Sequence, residues 1–342
     1  MQSHYTMRKE RKAEKVLWEA LEEKRTVPKV KTMQNLSGLM REEKARFNEA
    51  WSHLPVEVRR EITQTLGKMS EADFEMDFAA IFRIAIKDTD PHVRASAIDG
   101  LWEDEDVRLV PHLAHTLRQD VASNVRVAAA QCLAHFVLLG ELKKIRPRPF
   151  QTAYDALYAS YHDRTEELEV RRRALESIAY VSDDDISQII REAYAHTEEL
   201  MQISAVFAMG RSADRRWAKI VVRELNNPNP AMRYEAARAC GELKLRQAVP
   251  DLVELVEDVD AEIQQVALWS LGQIGGDLAR KTLQHYIHNE NEALQTAARA
   301  ALNELEFFHG NLNTFFGPPE DFSGVTDLSW EEDRRDGNRT DR

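Results

Sequence analysis

The sequence predicts an all-α chain built as a solenoid, a superhelix of about eight stacked helical pairs. Three observations carry this. Similar segments recur at a fixed interval of 31 residues, apolar residues inside each segment fall on one face of an α-helix, and helix-breaking residues are sparse, with 13 Gly and 11 Pro in 342 residues.

The interval is clearest in the second half. Val170-Arg-Arg-Arg-Ala174-Leu175, Met201-Gln-Ile-Ser-Ala205-Val206, Met232-Arg-Tyr-Glu-Ala236-Ala237, Ile263-Gln-Gln-Val-Ala267-Leu268 and Leu294-Gln-Thr-Ala-Ala298-Arg299 begin 31 residues apart. Units at Val93 and Val125 continue the series upstream with looser spacing, and a weaker one begins at Val58, which makes eight. Counting the first apolar residue as position 0, positions 0, 4 and 8 are apolar almost throughout, as in Ile263/Ala267/Leu271. That spacing is one stripe of a helix. Position 7 is small in seven units, among them Gly100, Ala239, Ser270 and Ala301, which lets a neighbouring helix approach closely. Position 9 is glycine at Gly67, Gly210, Gly241 and Gly272, where a left-handed helix cap is expected.

Helix starts are marked too. Asp90, Asn229, Asp260 and Asn291 stand three residues before position 0, where their side chains can accept from the first free amides. Pro91 and Pro230 follow at the first helical position, where a missing N–H costs nothing. A second helix of ten to fifteen residues fits between successive units, with Val221, Val222 and Leu225 matched 31 residues later by Leu252, Val253 and Val256. Neither helix can bury its stripe alone, so the units must stack into a curved rod on the order of 70–80 Å long.

A capped helix opening Asp-x-x-Val-Arg-x-x-Ala-Ala and closing Leu-Gly resembles the HEAT-like repeat class first associated with phycobilisome lyases. Asp260–Gly272 and Asp90–Leu101 carry the likeness best, and it spans roughly Leu54–Phe307. The resemblance implies the solenoid fold and leaves function open, since this class serves many roles. Deoxyhypusine hydroxylases use the same class with His-Glu pairs that hold two irons. This sequence has eleven histidines and no His-Glu dipeptide, which argues against such a site.

The chain divides accordingly into a charged N-terminal helix (1–25), a linker with a capping helix (26–53), the repeat array (54–309) and an acidic tail expected to lack structure (310–342). Phe315, Phe316, Phe322 and Trp330 in that tail could dock on a partner or back on the rod, or be incidental. Between Val125 and Val170 the spacing grows to 45, and Gly140–Phe150 reads as an inserted surface loop.

Composition narrows the function classes. A net charge of −12 disfavours binding to a phosphate backbone, so nucleic acid is an unlikely partner. The charge is uneven, with twelve Lys/Arg against seven Asp/Glu over Met1–Arg46. No apolar run is long enough to span a bilayer, and the N-terminus lacks the apolar core of a signal peptide. Two cysteines, Cys132 and Cys240, are too few for a disulfide framework and sit at packing positions. A cytoplasmic protein is expected.

No catalytic motif stands out. The sequence has no Gly-rich phosphate loop, and the pairs His112/His115 and His285/His288 find no evident third ligand, so neither enzyme activity nor cofactor nor metal is expected. Trp102-Glu-Asp-Glu-Asp106 reads as a solvated acidic turn. Position 1 is arginine in five units (Arg59, Arg94, Arg126, Arg171, Arg233), a recurrence that fits ties between neighbouring repeats.

Positions 2 and 6 lie off the buried stripe and are expected along the open, concave face. They read Arg172/Glu176, Ile203/Phe207, Tyr234/Arg238 and Gln265/Trp269. Together with Arg173, the residues Arg172, Ile203, Phe207, Tyr234, Arg238 and Trp269 form the candidate partner-binding set, an aromatic row beside charges suited to an extended peptide or a helix. Alternatively, Phe207 and Trp269 pack against their own repeat loops. The leading expectation is a non-catalytic scaffold that binds a protein or peptide. The alternative, which the resemblance implies, is an accessory subunit of a lyase-like enzyme similar to bilin lyases.

Overall fold

The computed structural model describes residues 15–316, with side chains described to residue 307. Every regular element among them is helical. Residues 1–14 of the expected N-terminal helix lie outside the described residues, as do residues 317–342 of the tail with Phe322 and Trp330. Residues 15–18 are helical and Glu19–Lys24 continue as a π-helical turn that ends at Arg25, whose φ is +52°. The expected linker contains a single helical turn, Val30–Met33, followed by a 3₁₀ turn at Gln34–Leu36. Met33 and Leu36 are fully buried there.

Helix α1 (Arg41–His53) caps the array. An inner row follows: α2 (Val56–Ala72), α4 (Pro91–Asp99), α6 (Ser123–Glu141), α8 (Leu168–Ile178), α10 (Glu199–Arg211), α12 (Pro230–Glu242), α14 (Ala261–Ile274) and α16 (Glu292–Phe316). An outer row alternates with it: α3 (Ala79–Ala85), α5 (Val110–Gln119), α7 (Pro147–His162), α9 (Asp184–Tyr194), α11 (Ala218–Glu224), α13 (Val249–Leu255) and α15 (Asp277–Tyr286). All eight repeat starts fall in the inner row, and each inner helix packs on the next, from α2 through α16. The apolar stripe is buried as one seam: Val93, Ala97, Val125, Ala129, Met201, Ala236, Ile263 and Ala267 are each 2% exposed or less.

The helix starts follow the sequence signals. Asp90 accepts from the amides of His92 and Val93, Asn229 from Ala231, Asp260 from Glu262 and Asn291 from Ala293. Two outer helices are shorter than expected: α11 and α13 span seven residues each after a 3₁₀ turn. The last helix runs to Phe316, beyond the Gly310 boundary read from the sequence.

Two expectations are corrected. The extra residues between the third and fourth units do not form one inserted loop, since only residues 142–146 of the segment are non-helical. They lengthen α6 and α7 to 19 and 16 residues, and Phe150 packs over Gly140, so an apolar contact holds the added turns in the helices. The position-9 glycines do not cap helices either. Gly210, Gly241 and Gly272 lie inside α10, α12 and α14, where a Cβ would come within 3.0 Å of Ala239, Ser270 and Ala301 of the next inner helix. Each glycine therefore faces the small position-7 residue of the following unit. The left-handed turns fall three residues later, at Ala213 (φ 53°), Lys244 (φ 51°) and Gly275 (φ 73°).

The recurring arginine ties repeats together. Arg59 pairs with Asp88 at 2.8 Å, Arg94 with Asp120 at 2.8 Å, Arg126 with Glu166 at 2.8 Å and Arg233 with Asp258 at 2.8 Å, each acid lying in the turn that opens the next unit. Arg94, Arg126 and Arg233 also donate to backbone carbonyls at the start of their own helix. Arg171 departs from the pattern and donates to the Tyr161 carbonyl. Replacing Arg233 by alanine should cost about 1.5 kcal/mol, since it removes charge-assisted bonds and leaves Asp258 uncompensated. Urea unfolding of Arg233→Ala against the parent checks this, and an unchanged midpoint would show the ladder to be energetically idle. The acidic turn at Trp102–Asp106 is likewise paired and not merely solvated: Arg83 reaches Asp104 at 2.5 Å and Asp106 at 3.0 Å.

Candidate functional site

Stacking α8, α10, α12 and α14 places their position-2 and position-6 side chains on one face. Two adjoining clefts open there. The first, of 370 Å³, has Arg172, Arg173, Ile203, Phe207 and Tyr234 in its walls. The second, of 560 Å³, holds Tyr234, Arg238 and Trp269. Tyr234 and Glu262 belong to both. All seven candidate residues thus come from four successive repeats to one continuous surface.

Their exposure differs from expectation. Phe207, Tyr234, Arg238 and Trp269 are half-buried, but Arg172 (8%), Glu176 (7%) and Ile203 (7%) are buried. The physical reason is pairing across the helix stack. Arg172 donates to Ser204 Oγ at 2.9 Å and to Glu169 at 2.6 Å, and Ser204 in turn donates to Glu176 at 2.6 Å. Arg173 bridges Glu169 and Glu176 at 2.9 and 2.7 Å. The two arginines, expected on the open face, are tied into the floor of the first cleft.

The second cleft is less settled. The Arg238 guanidinium lies 3.9 Å from the centroid of the Phe207 ring, with Arg211 at 5.3 Å from the same ring. Such stacking holds a cation over an aromatic face without consuming its N–H groups. Glu235 and Glu242 flank Arg238 at 3.1 and 3.8 Å. Neither contact is a hydrogen bond. Arg238 Nε and Nη2, Arg211 Nε, Glu235 Oε2 and Glu242 Oε2 are all buried without a hydrogen-bond partner. Burial pushes the Glu235 carboxyl up to about 7, with Glu176 and Glu242 adding to the rise and Arg238 opposing it. Burial raises Glu242 in the same way. A concentration of under-satisfied polar groups on one accessible face marks a site that trades stability for something else.

Sequence reasoning missed this Arg211, Glu235 and Glu242 cluster. The three occupy positions 10, 3 and 10 of their units, and only the offset between neighbouring helices brings them around Phe207. The cysteines behave as packing residues: both are free and buried, and burial pushes the Cys132 thiol up to about 12. Among the described residues no group of three or more His, Cys, Asp or Glu is placed to hold a metal ion, and no helix is long and apolar enough to cross a membrane.

The family model for HEAT repeats matches residues 45–134 and 218–303, together just over half of the sequence. The chain belongs to the HEAT-repeat family. No curated protein matches it. Solved structures with a similar arrangement include importin beta, at 12% identity and a TM-score of 0.42, covering 81% of this HEAT-repeat chain and 42% of importin beta. Human deoxyhypusine hydroxylase in complex with glycerol aligns at 17% identity and a TM-score of 0.35, over 78% of this chain and 96% of the hydroxylase. A designed armadillo repeat protein in complex with the peptide (KR)4 aligns at 19% identity and a TM-score of 0.35, over 57% of this chain and 99% of the designed one. Scores of this size carry no argument about site or partner.

Proposed function

We propose that this HEAT-repeat chain is a non-catalytic interaction scaffold whose protein partner, a helix or an extended peptide, lies along the concave face of the inner row. The reading rests on one observation: Arg172, Arg173, Ile203, Phe207, Tyr234, Arg238 and Trp269, from four successive repeats, line two clefts that run into each other. A surface of that length, with half-buried aromatics beside charges, suits a linear ligand better than a small molecule. Phe207, Tyr234 and Trp269 supply the contact area, beside the Arg238 guanidinium stacked on Phe207. The finer likeness to the phycobilisome-lyase repeat class stays a resemblance of the capped helices Asp90–Leu101 and Asp260–Gly272. Through it the accessory-subunit role keeps its place as the alternative.

Affinity capture with mass spectrometry identifies the partner, and the triple variant F207A/Y234A/W269A then tests the face. Binding should weaken more than about tenfold, since buried aromatic anchors carry most of an interface's energy. Arg172 and Arg173 are poor choices for this test because their loss would disturb the floor of the cleft itself. Helicity by circular dichroism should be retained in the triple variant. Partner affinity unchanged in a folded variant sinks the assignment.

A further inference from the structure

A third cleft lies away from this face, at the N-terminal end of the array. It measures 830 Å³ and is bounded by α1, α3 and the turn Lys87–Thr89 that leads into α4. Its lining carries five cations, Arg41, Lys44, Arg59, Arg83 and Lys87, against one carboxylate, Asp88. In a chain of net charge −12 that concentration is against the trend. The carboxylates of α1 itself, Glu42, Glu43 and Glu49, stand outside the lining.

Internal pairing consumes two of the five cations and leaves three. Asp88 is saturated: Arg59 lies 2.8 Å from it, the Trp51 indole donates at 2.9 Å and the Asp90 amide donates at 2.9 Å, so that its side chain is 4% exposed. Arg83 is held by Asp104 and Asp106. Arg41, Lys44 and Lys87 are exposed, and no ion pair among the described residues uses them. Arg41 and Lys44 stand three residues apart on α1 and so project from one wall, while Lys87 follows α3 on the other. The surplus charge acts on its surroundings: burial lowers the His112 imidazole below its ordinary range, and Lys87 adds to the drop. Half-buried Ile84 and exposed Ala45 add apolar surface to the same lining.

Three free cations beside apolar surface select an anionic ligand that also carries side chains. The volume is that of a site for a ligand of many atoms, larger than a single carboxylate or phosphate ion needs. A long polyanion is disfavoured, because beyond the cleft it would meet a chain of net charge −12. The chain's own carboxylates at 320–333 leave from the opposite end of the array, and the stretch from Phe316 to Trp330 spans at most about 50 Å, too short to return along the rod. We propose that the cleft between α1 and α3 docks a short acidic segment of a partner protein, with its carboxylates paired to Arg41, Lys44 and Lys87 and its apolar side chains set against Ile84 and Ala45. None of these residues belongs to the face of α8–α14, so the two surfaces can be occupied together.

Fluorescence anisotropy of the full chain tests this with a labelled peptide of about twelve residues in which leucines interrupt Asp-Glu pairs. The peptide should bind, and raising the salt from about 0.05 to about 0.5 M should weaken it by about tenfold or more. Lys44→Glu with Lys87→Glu, both exposed changes, should weaken binding by about tenfold or more with circular dichroism unchanged. Lys219→Glu with Lys281→Glu alters the net charge equally at exposed positions far from the cleft and should shift affinity by less than about twofold. The variant F207A/Y234A/W269A should bind the acidic peptide as the parent does, which keeps failure of this cleft distinct from failure of the concave face. No binding, equal weakening by the two charge-reversed pairs, or tighter binding of a single-stranded oligonucleotide would each overturn the proposal. So would self-association at low salt that Lys44→Glu with Lys87→Glu abolishes, since a second copy would then be the occupant.

Discussion

Replacing Gly241 by valine is expected to destabilise the solenoid by about 3–4 kcal/mol, a larger effect than at glycines that lack a close backbone neighbour. Gly241 lies within α12 and faces α14. A Cβ there would stand 2.8 Å from Ser270 Oγ and from the Trp269 ring, and 3.0 Å from Ser270 Cα. The first two atoms could swing aside, but the third is backbone, so the two helices would have to separate. Helix propensity alone predicts the opposite sign, since valine is favoured over glycine in a helix interior by a few tenths of a kcal/mol. Steric exclusion outweighs that by about an order of magnitude. Because each repeat contacts only its neighbours, damage at this interface should also uncouple α14–α16 from the rest of the array. Urea unfolding should show an earlier transition, and amide exchange should accelerate first in α14 and α16. Gly67 provides the control. It sits in α2, and a Cβ added to it would meet no atom within 4 Å, so Gly67→Ala should stabilise by about 0.5–1 kcal/mol. Equal responses at the two positions would refute close approach as the reason for Gly241.

Glu235→Gln is expected to stabilise the chain by about 2 kcal/mol at pH 8 and to change little below pH 4.5. Burial holds the Glu235 carboxyl at about 7 in the folded chain against an ordinary value of 4.5. Below 4.5 the group is protonated in both folded and unfolded states and contributes nothing. Between 4.5 and 7 the folded state keeps a proton that the unfolded state has released, so stability falls as pH rises. Above 7 the full penalty of a buried carboxylate is present, on the order of 3 kcal/mol for a difference of this size. Glutamine keeps the shape and removes the charge. The arginine-paired acids work in the other direction: Asp90 and Asp106 are held down to about 2, by Arg60 and Arg108 respectively, and their contribution is lost as pH falls from 3.8 towards 2. Stability should therefore peak between about pH 4 and 6, and the Glu235→Gln variant should flatten the alkaline side of that profile. Thermal unfolding of both proteins from pH 3 to 8 measures it. Parallel profiles would mean that Glu235 is solvated well enough to ionise freely.

The same group shows why the face of α8–α14 is costly to keep. Glu235, Glu242 and Arg238 are close, buried and poorly bonded to one another. A partner that supplies the missing donors and acceptors would recover part of that cost, which links the stability of the free chain to the affinity of the bound one.

The array itself was legible because a repeat states its own geometry many times over. Apolar residues at 0, 4 and 8, caps such as Asp90 and Asn229, and proline at the first helical position are local signals, and each acts through atoms a few residues apart. They determined the helices, their order and the seam along which they stack. What a residue meets across that seam is not local. Gly241 read as a cap because its own helix was the only neighbour in view, whereas its reason lies in Ser270, 29 residues away. Arg172 read as exposed because periodicity places it off the apolar stripe, yet Ser204 and Glu169 enclose it. Gly140–Phe150 read as a loop, yet only residues 142–146 are non-helical, and Phe150 on the next helix packs on Gly140. Sequence alone thus set the period, the capped helix starts and which side of each helix is buried, since these follow from intervals along one chain. Tertiary structure decided which glycines are obligatory, which charges are free and where the clefts lie, because those depend on the offset between stacked helices.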